Sequence, residues 1–210
     1  MKKMTTALLT TLILGSLCAA AQNAGNLVVN GDFKQVESPK EETAWKPGYC
    51  FIHAPSVPND AMRDEVKKGV KWEIRDGMGI ITKSSELEKI CGGDKKLASC
   101  VSGGFQKLVK LSHAKGGSYV FSFKYRMKGT DATRGYLLIY PIERAENQSL
   151  DKAPRGELRV LSFQNTAGDE WKQVSKVVTV PEKANWLELV VRIDGIGELN
   201  FKDVQVYEQD

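Results

Sequence analysis

The longest stretch of alternating apolar and polar residues runs from Gly116 to Gly129. Large apolar side chains, from Tyr119 to Met127, recur at every second position, and most positions between them are polar. A period of two is typical of a strand with one face in a core, whereas a helix would scatter these side chains around its circumference. We therefore predict a long antiparallel strand at the centre of the fold.

Shorter strand-like segments separated by turn residues fill most of the remaining chain. They are 26–33, 43–53, the hairpin 70–83, 104–111, 135–142, 157–163, 171–180, 186–194 and 198–207. A short helix is predicted over 59–68, and Ser85–Glu88 has the form of a capping box that begins a helical turn. The segment 104–111 is expected to pair with the central strand through a turn. Strands at this spacing predict an all-β protein, an antiparallel β-sandwich of the jelly-roll type with one or two short helices in its loops.

Residues 1–21 have the pattern of a secretory signal peptide. They begin with two lysines, continue with an apolar run over 7–17 and end in a small-residue cleavage site at Ala21. The apolar run is too short to span a bilayer, and no other segment comes close, so we expect no membrane-spanning helix. Residues 22–210 are then predicted to form a single domain, secreted or held in the periplasm or cell envelope.

The charge balance argues against a nucleic-acid partner. The sequence has 30 basic and 26 acidic residues, and without the two lysines of the leader the net charge is only +2. No basic stripe offsets this balance.

Three cysteines follow the leader. Cys91 and Cys100 would close a short Gly-rich loop, and an exported protein can form such a disulfide. Cys50 is then a buried thiol, or the true partner of one of the other two, and the spacing leaves this choice open.

Catalytic motifs are absent from the sequence. The two histidines form no HExxH arrangement, and neither a GxSxG elbow nor a P-loop is present. Carboxylates are plentiful, but no spacing selects a pair for glycoside hydrolysis. We therefore expect a protein that is not an enzyme and requires no cofactor, with a small hydrolase on a jelly-roll scaffold as the minor alternative.

The order of several segments resembles the galactose-binding-like jelly-roll superfamily, in particular the secreted carbohydrate-binding modules of the family 4/9/22 type. In this chain the resemblance begins with NLVVNGDF at 26–33 and continues with Trp45. It then includes FQKLVKL, which is followed by YVFSFKYRMKG. WKQVSKVVTVP at 171–181 and the segment LELVVRIDGIGELNFKDVQVYE, similar to a closing hairpin, complete the set. The resemblance covers most of residues 22–210 and implies a jelly roll that binds carbohydrate.

The resemblance also implies a candidate structural calcium site. Asp203 occupies the position of the family's closing aspartate, and with backbone carbonyls near Gly31 it would offer oxygen ligands to a hard cation. Many relatives carry an acidic residue directly after the opening Phe, where this chain has Lys34. The alternative for Asp203 is a turn cap or a backbone hydrogen-bond acceptor.

Sugar binding needs aromatic faces for the apolar side of the ring and polar groups for its hydroxyls. If Leu137 and Ile139 face the core, Tyr136 and Tyr140 lie on an open sheet face. The reverse assignment is equally consistent with the pattern. Arg126 and Arg192 are expected near each other on one sheet face. The alternative is that they lie on a solvated sheet face and form salt bridges there. Trp45 and Trp72 lie in early strands that border loops, where they are candidates for stacking on a sugar. The alternative is that they lie in the core. The candidate carbohydrate-binding residues are Tyr136, Tyr140, Arg126, Arg192, Trp45 and Trp72.

The sequence thus predicts a secreted, non-catalytic module that recognises a polysaccharide or glycan by aromatic stacking on an open sheet face. The alternative is an exported structural or adhesive protein that uses the same sandwich to bind a protein partner. Fold alone does not decide between them.

Overall fold

Two antiparallel sheets pack face to face in the computed structural model, which describes residues 25–38, 40–52, 60–111 and 116–209. The predicted leader, 1–21, lies outside the described residues. The strands are β1 (Lys46–Ile52), β2 (Val70–Arg75), β3 (Met78–Lys83), β4 (Val101–Lys110), β5 (Gly117–Gly129), β6 (Arg134–Ile142), β7 (Arg159–Phe163), β8 (Lys172–Val180), β9 (Trp186–Asp194) and β10 (Gly197–Gln209). Sheet A has the order β1-β4-β9-β6-β7, and sheet B has the order β2-β3-β10-β5-β8. The predicted antiparallel sandwich is confirmed.

The core lies between the two sheets, and β5 contributes its largest side chains. The alternating residues from Tyr119 to Met127 are all buried, with at most 5% of their surface exposed. The rings of Phe123 and Tyr125 contact Phe163 of sheet A at centroid distances of 5.3 and 4.4 Å. The predicted central strand therefore has the expected inner face, because alternation with a period of two places every second side chain in the core.

Short helices connect some of the strands. They are α1 (Asp60–Lys68), α2 (Glu86–Ile90), α3 (Lys95–Cys100) and a 3-10 helix at Leu150–Lys152. Ser85 begins α2, but its side chain makes no capping hydrogen bond, so the predicted capping box is wrong. At α3, which the sequence analysis missed, the Asp94 side chain accepts a hydrogen bond from the Leu97 N–H at 2.9 Å. In the described residues no helix is long and apolar enough to cross a membrane.

The strand pairing differs from the prediction in two places. β4 pairs with β1 and β9 in sheet A, whereas β5 pairs with β10 and β8 in sheet B, so the two do not form a hairpin. β9 and β10 likewise belong to different sheets, although the intervening turn is short. In a sandwich, a tight connection can cross from one sheet to the other, so closeness in sequence does not decide pairing.

The segment predicted as a first strand, 26–33, forms turns and bends instead. It is held beside β10 by the Asn26 side chain. Its Oδ1 accepts hydrogen bonds from the N–H groups of Val28 and Val206 at 3.1 and 2.9 Å. These contacts replace a strand ladder, so the segment is fixed to the sheet without joining it.

Cys91 and Cys100 are free thiols in the structure, so the predicted disulfide between them is not formed there. Cys91 follows the last residue of α2, and Cys100 ends α3. Burial raises the pKa of the Cys91 thiol, which favours the protonated and less reactive form. The side chain of Cys50 lies outside the described part of the chain.

Candidate functional site

β6 places two tyrosines on the face of sheet A that points away from the core. Leu137 and Ile139 belong to the core, so Tyr136, Leu138 and Tyr140 lie on the opposite side of the strand. Both tyrosines are partly exposed. Of the two alternatives left by the sequence, the structure has the tyrosines on the open face.

An apolar row crosses this open face between the two tyrosines. Val160 of β7 pairs with Leu138 of β6, which pairs with Val190 of β9. Val190 pairs in turn with Gln106 of β4, and Gln106 with Lys46 of β1. Leu138 and Val190 are buried although they face outward, because neighbouring side chains cover them. Tyr136 and Tyr140 are four residues apart, about 14 Å along the strand.

Arg192 and Asp194 hold the Tyr136 end of the face in a fixed arrangement. Arg192 lies directly opposite Tyr136, and its guanidinium carbon is 5.2 Å from the centre of the tyrosine ring. Its Nε and one terminal nitrogen donate to the two carboxylate oxygens of Asp194 at 2.8 and 2.5 Å. A two-point bond of this kind sets the plane of the guanidinium group, which lies over the Tyr136 ring.

The Tyr140 end is bounded by a loop that folds over the sheet. Tyr140 pairs with Glu188 of β9, whose Oε2 is 3.2 Å from Nε of Arg155. Beyond it, Trp186 packs beside Leu150 on a second small apolar cluster, which includes Leu108. This end of the face is therefore closed by the segment that contains the 3-10 helix.

A groove of about 200 Å³ lies between this loop and the β1 edge of sheet A. Its floor is the open face of β4, and its walls come from the segment before β1 and from the 3-10 helix. The lining residues are Glu42, Ala44, Lys46, Gln106, Lys107, Leu108, Leu150 and Glu188. The groove lies beyond Val190 along the row of paired residues, and its polar lining residues Lys46 and Gln106 are partly exposed.

Arg126 lies on the other sheet, which corrects the predicted arginine pair. It belongs to β5 of sheet B, whereas Arg192 belongs to β9 of sheet A. Its guanidinium carbon is 5.3 Å from the centre of the Trp171 ring, and its NH1 is 3.8 Å from Oδ1 of Asp169. The prediction failed because the alternation of a strand shows which residues share its face but not which sheet the strand joins. Arg126 has the salt-bridged position that was its alternative.

Trp45 and Trp72 face the core, which corrects their assignment to the binding face. Trp45 is 4% exposed, stacks on Phe33 at 4.9 Å, and donates its indole N–H to the Asn30 carbonyl at 3.1 Å. Trp72 lies on the edge strand β2 and packs against the main core cluster. Both residues therefore occupy the core position that was their alternative.

Sequence reasoning missed the polar residues of the groove. Gln106 alternates with the buried Phe105 and Lys107 in FQKLVKL, so the pattern places it on an outer face. The pattern does not show that β4 lies between β1 and β9, and only this pairing brings Gln106 beside Lys46 and near Glu188. The missing information was strand order.

The residues of the candidate calcium site do not fit a calcium ion. Asp203 Oδ2 is 3.0 Å from Lys124 Nζ, and the Gly31 carbonyl already accepts the Val204 N–H at 2.9 Å. Calcium takes six to eight oxygen ligands. Within the residues that the structure describes, no three Asp, Glu, His or Cys side chains cluster as metal ligands would.

The carboxylates on the open face of β9 do not form a hydrolytic pair. Glu188 and Asp194 are six residues apart on one strand, about 20 Å, whereas glycosidases place their two carboxyl groups about 5 to 9.5 Å apart. Each is also bound to an arginine. These two carboxylates therefore lack the spacing of a glycosidase pair.

No protein-family model and no curated protein matches this chain. Solved structures with a similar fold do match. A family 61 carbohydrate-binding module in complex with beta-1,4-galactotriose is 14% identical, with 89% of this chain and 100% of that chain covered and a TM-score of 0.50. A family 4 carbohydrate-binding module is 15% identical, with 87% and 99% covered and a TM-score of 0.48.

The enzymatically active domain of tailspike protein 4 from bacteriophage CBA120 is also similar. It is 12% identical with a TM-score of 0.50, and the match covers 88% of this chain but only 21% of that chain. At these identities the similarity shows the fold alone. The chain has the jelly-roll sandwich fold found in carbohydrate-binding modules.

Proposed function

We propose that this protein is a non-catalytic glycan-binding domain and that the open face of sheet A is its binding site. The observation that carries the proposal is the position of Tyr136 and Tyr140 on either side of the row formed by Leu138 and Val190. Partly exposed aromatic rings suit the C–H side of a sugar ring, and polar groups nearby suit its hydroxyls.

Arg192 has the role of a fixed polar partner in this site. Asp194 holds its guanidinium by two hydrogen bonds, and the guanidinium in turn lies over the Tyr136 ring. The ring is therefore oriented before a ligand arrives, which reduces the entropy lost on binding.

A protein partner is the less favoured occupant. A protein-binding surface would present a contiguous apolar patch of several hundred Å². In the described residues the exposed large apolar side chains are instead distributed among separate elements: Val29, Val36, Ile74, Leu158, Val160 and Val177.

The proposed setting is outside the cytoplasm, after removal of the predicted leader 1–21, where glycans are accessible.

A glycan array probed with the purified protein tests the proposal. Hits are then titrated against wild type, the double variant Tyr136→Ala/Tyr140→Ala, and the control Tyr207→Ala, which removes a partly exposed tyrosine from sheet B. Loss of two stacking rings should weaken binding roughly thirtyfold or more, since each is worth about 1 kcal/mol or more. The control should bind as wild type does.

Two results would contradict the proposal. Binding that survives in a folded double variant would remove the site from this face. Failure of the wild type to bind any glycan on the array would overturn the function itself and favour a role in contact with proteins.

A further inference from the structure

The groove beside β1 contains an ammonium group that has no carboxylate partner among the residues described by the structure. Lys46 of β1 lines the groove and lies directly opposite Gln106 of β4, which lines it too. Among the described residues, no carboxylate lies within 4.0 Å of Lys46, and the Gln106 side-chain amide has no hydrogen-bond partner. The partial exposure of both residues leaves their polar groups accessible from the groove.

The other charges of the groove are already neutralised within the protein. Glu42 Oε1 is 2.7 Å from NH1 of Arg144, and Glu188 Oε2 is 3.2 Å from Nε of Arg155. Lys107 is buried against Glu37, with its Nζ at 2.6 Å from Oε1. With these pairs formed, Lys46 is the charged lining residue that has no ion-pair partner in the described part of the chain.

We infer that this groove binds the carboxylate of an acidic sugar, so that the glycan recognised by the open face contains uronic acid residues. This inference rests on the proposed function. Lys46 would supply the charge and Gln106 an amide N–H donor, on adjacent strands with Cβ atoms about 5 Å apart. A carboxylate has two oxygens and accepts from both donors at once.

A carboxylate suits these donors better than a hydroxyl does. A hydrogen bond between an ammonium and a carboxylate is roughly twice as strong as one between neutral groups, and it supplies the counter-charge that Lys46 lacks. A volume of about 200 Å³ is below the usual range for a complete small-molecule site. The groove therefore holds one sugar unit, while the remaining units extend along the row between Tyr136 and Tyr140.

Oligogalacturonate and alginate oligomers, each as the free acid and as the methyl ester, test the inference by titration at a fixed salt concentration. The paired probes differ only in the charge of the carboxyl group. Wild type should bind one of the free acids about tenfold or more tightly than its ester, because a charged hydrogen bond is lost on esterification. Lys46→Met should abolish this preference.

Two further variants make the result specific. Lys71→Met removes an equal charge from an exposed position on β2 of sheet B and should keep the preference. Gln106→Glu places a carboxylate opposite Lys46 and should abolish the preference without removing a positive charge. The melting temperature of each variant confirms that it is folded.

Equal binding of acid and ester by wild type, with glycan binding retained, would overturn the acidic-sugar inference and leave the proposed function standing. An equal loss of preference in Lys71→Met would also overturn it, because the effect would then be one of net charge. Absence of binding to both probe forms and to every glycan on the array would instead overturn the proposed function.

Discussion

Lys107 is the clearest case in which a single residue departs from the pattern of its strand. It occupies an inward position of β4 between Phe105 and Val109, where an apolar side chain is expected, and it is 1% exposed. Its Nζ is bound to Oε1 of Glu37. The second carboxylate oxygen of Glu37 accepts a hydrogen bond from the backbone N–H of Trp45 at 2.8 Å. The pair therefore joins the segment before β1 to sheet A, and that segment supplies one wall of the groove.

The titration of Lys107 should be visible in the stability of the protein. Burial lowers the pKa of this amine below 10.5 in the folded state, and the hydrogen bond to Glu37 offsets only part of the effect. Between the lowered pKa and 10.5 the folded state binds fewer protons than the unfolded state, so stability rises with pH. The free energy of unfolding of wild type, measured relative to Lys107→Met, should therefore rise as the pH approaches 10.5.

Urea denaturation of both proteins at pH 8, 9 and 10 measures this difference. Subtracting the variant removes the contributions of tyrosines, which titrate in both proteins. The slope cannot exceed about 1.4 kcal/mol per pH unit for one group. A difference that stays constant or falls with pH would contradict the sign derived from burial.

At the scale of single residues, alternation predicts the face of a side chain but not its surroundings. Tyr136 and Tyr140 lie opposite Leu137 and Ile139, as the period of two requires once one pair is assigned to the core. Trp45 could not be placed in this way, because it precedes β1 and its burial depends on Phe33 and other rings distant in sequence. Tertiary contacts of this kind are absent from a local pattern.

Among the structural elements, α2 and α3 offer a matched test of helix capping. Asp94 accepts the Leu97 N–H at 2.9 Å, whereas the Ser85 side chain makes no such bond. Asp94→Ala should therefore lower the free energy of unfolding by about 1 kcal/mol, and Ser85→Ala should change it much less. Urea denaturation of the two variants measures both effects, and a larger loss for Ser85→Ala would contradict this assignment of the caps.

The positions of most strands were predictable from sequence, and the predicted hairpin over 70–83 is confirmed by the pairing of β2 with β3, but the other predicted pairings were wrong. β9 was predicted with the bounds that it has, and β5, β6 and β8 are within one residue of their predicted bounds. The predicted β4–β5 hairpin was wrong because the two strands lie in opposite sheets. Alternation and turn residues are local signals, while the order of strands depends on which apolar faces pack across the sandwich.

In the whole molecule, strand order determines where ligands can bind. β9 lies at the centre of sheet A and joins the tyrosines of β6 to the groove on β4. On sheet B, the cations Arg126 and Lys202 lie over Trp171 at 5.3 and 4.3 Å, as Arg192 lies over Tyr136 on sheet A at 5.2 Å. A cation over an aromatic ring is therefore present on both sheets, and the groove beside β1 adds polar lining residues to sheet A.

The opening segment of the described chain meets β10 at one corner of the sandwich, where the sequence predicted a calcium site. Here protein hydrogen bonds hold the corner. Asn26 donates from Nδ2 to the Val204 carbonyl at 3.2 Å and accepts the Val206 N–H, while Asp203 pairs with Lys124. This amide network joins the opening segment to β10.

Calcium removal should therefore leave the protein's stability unchanged. The melting temperature in excess EDTA should equal that in millimolar calcium, because an ion that binds the folded state tightly would raise it by mass action. Asn26→Ala should lower the free energy of unfolding by about 2 kcal/mol, since it leaves backbone groups of β10 without partners. Gln35→Ala, at an exposed side chain of the neighbouring loop, is the control and should have little effect. A melting temperature that falls in EDTA would show that the corner binds calcium despite the ion pair between Asp203 and Lys124.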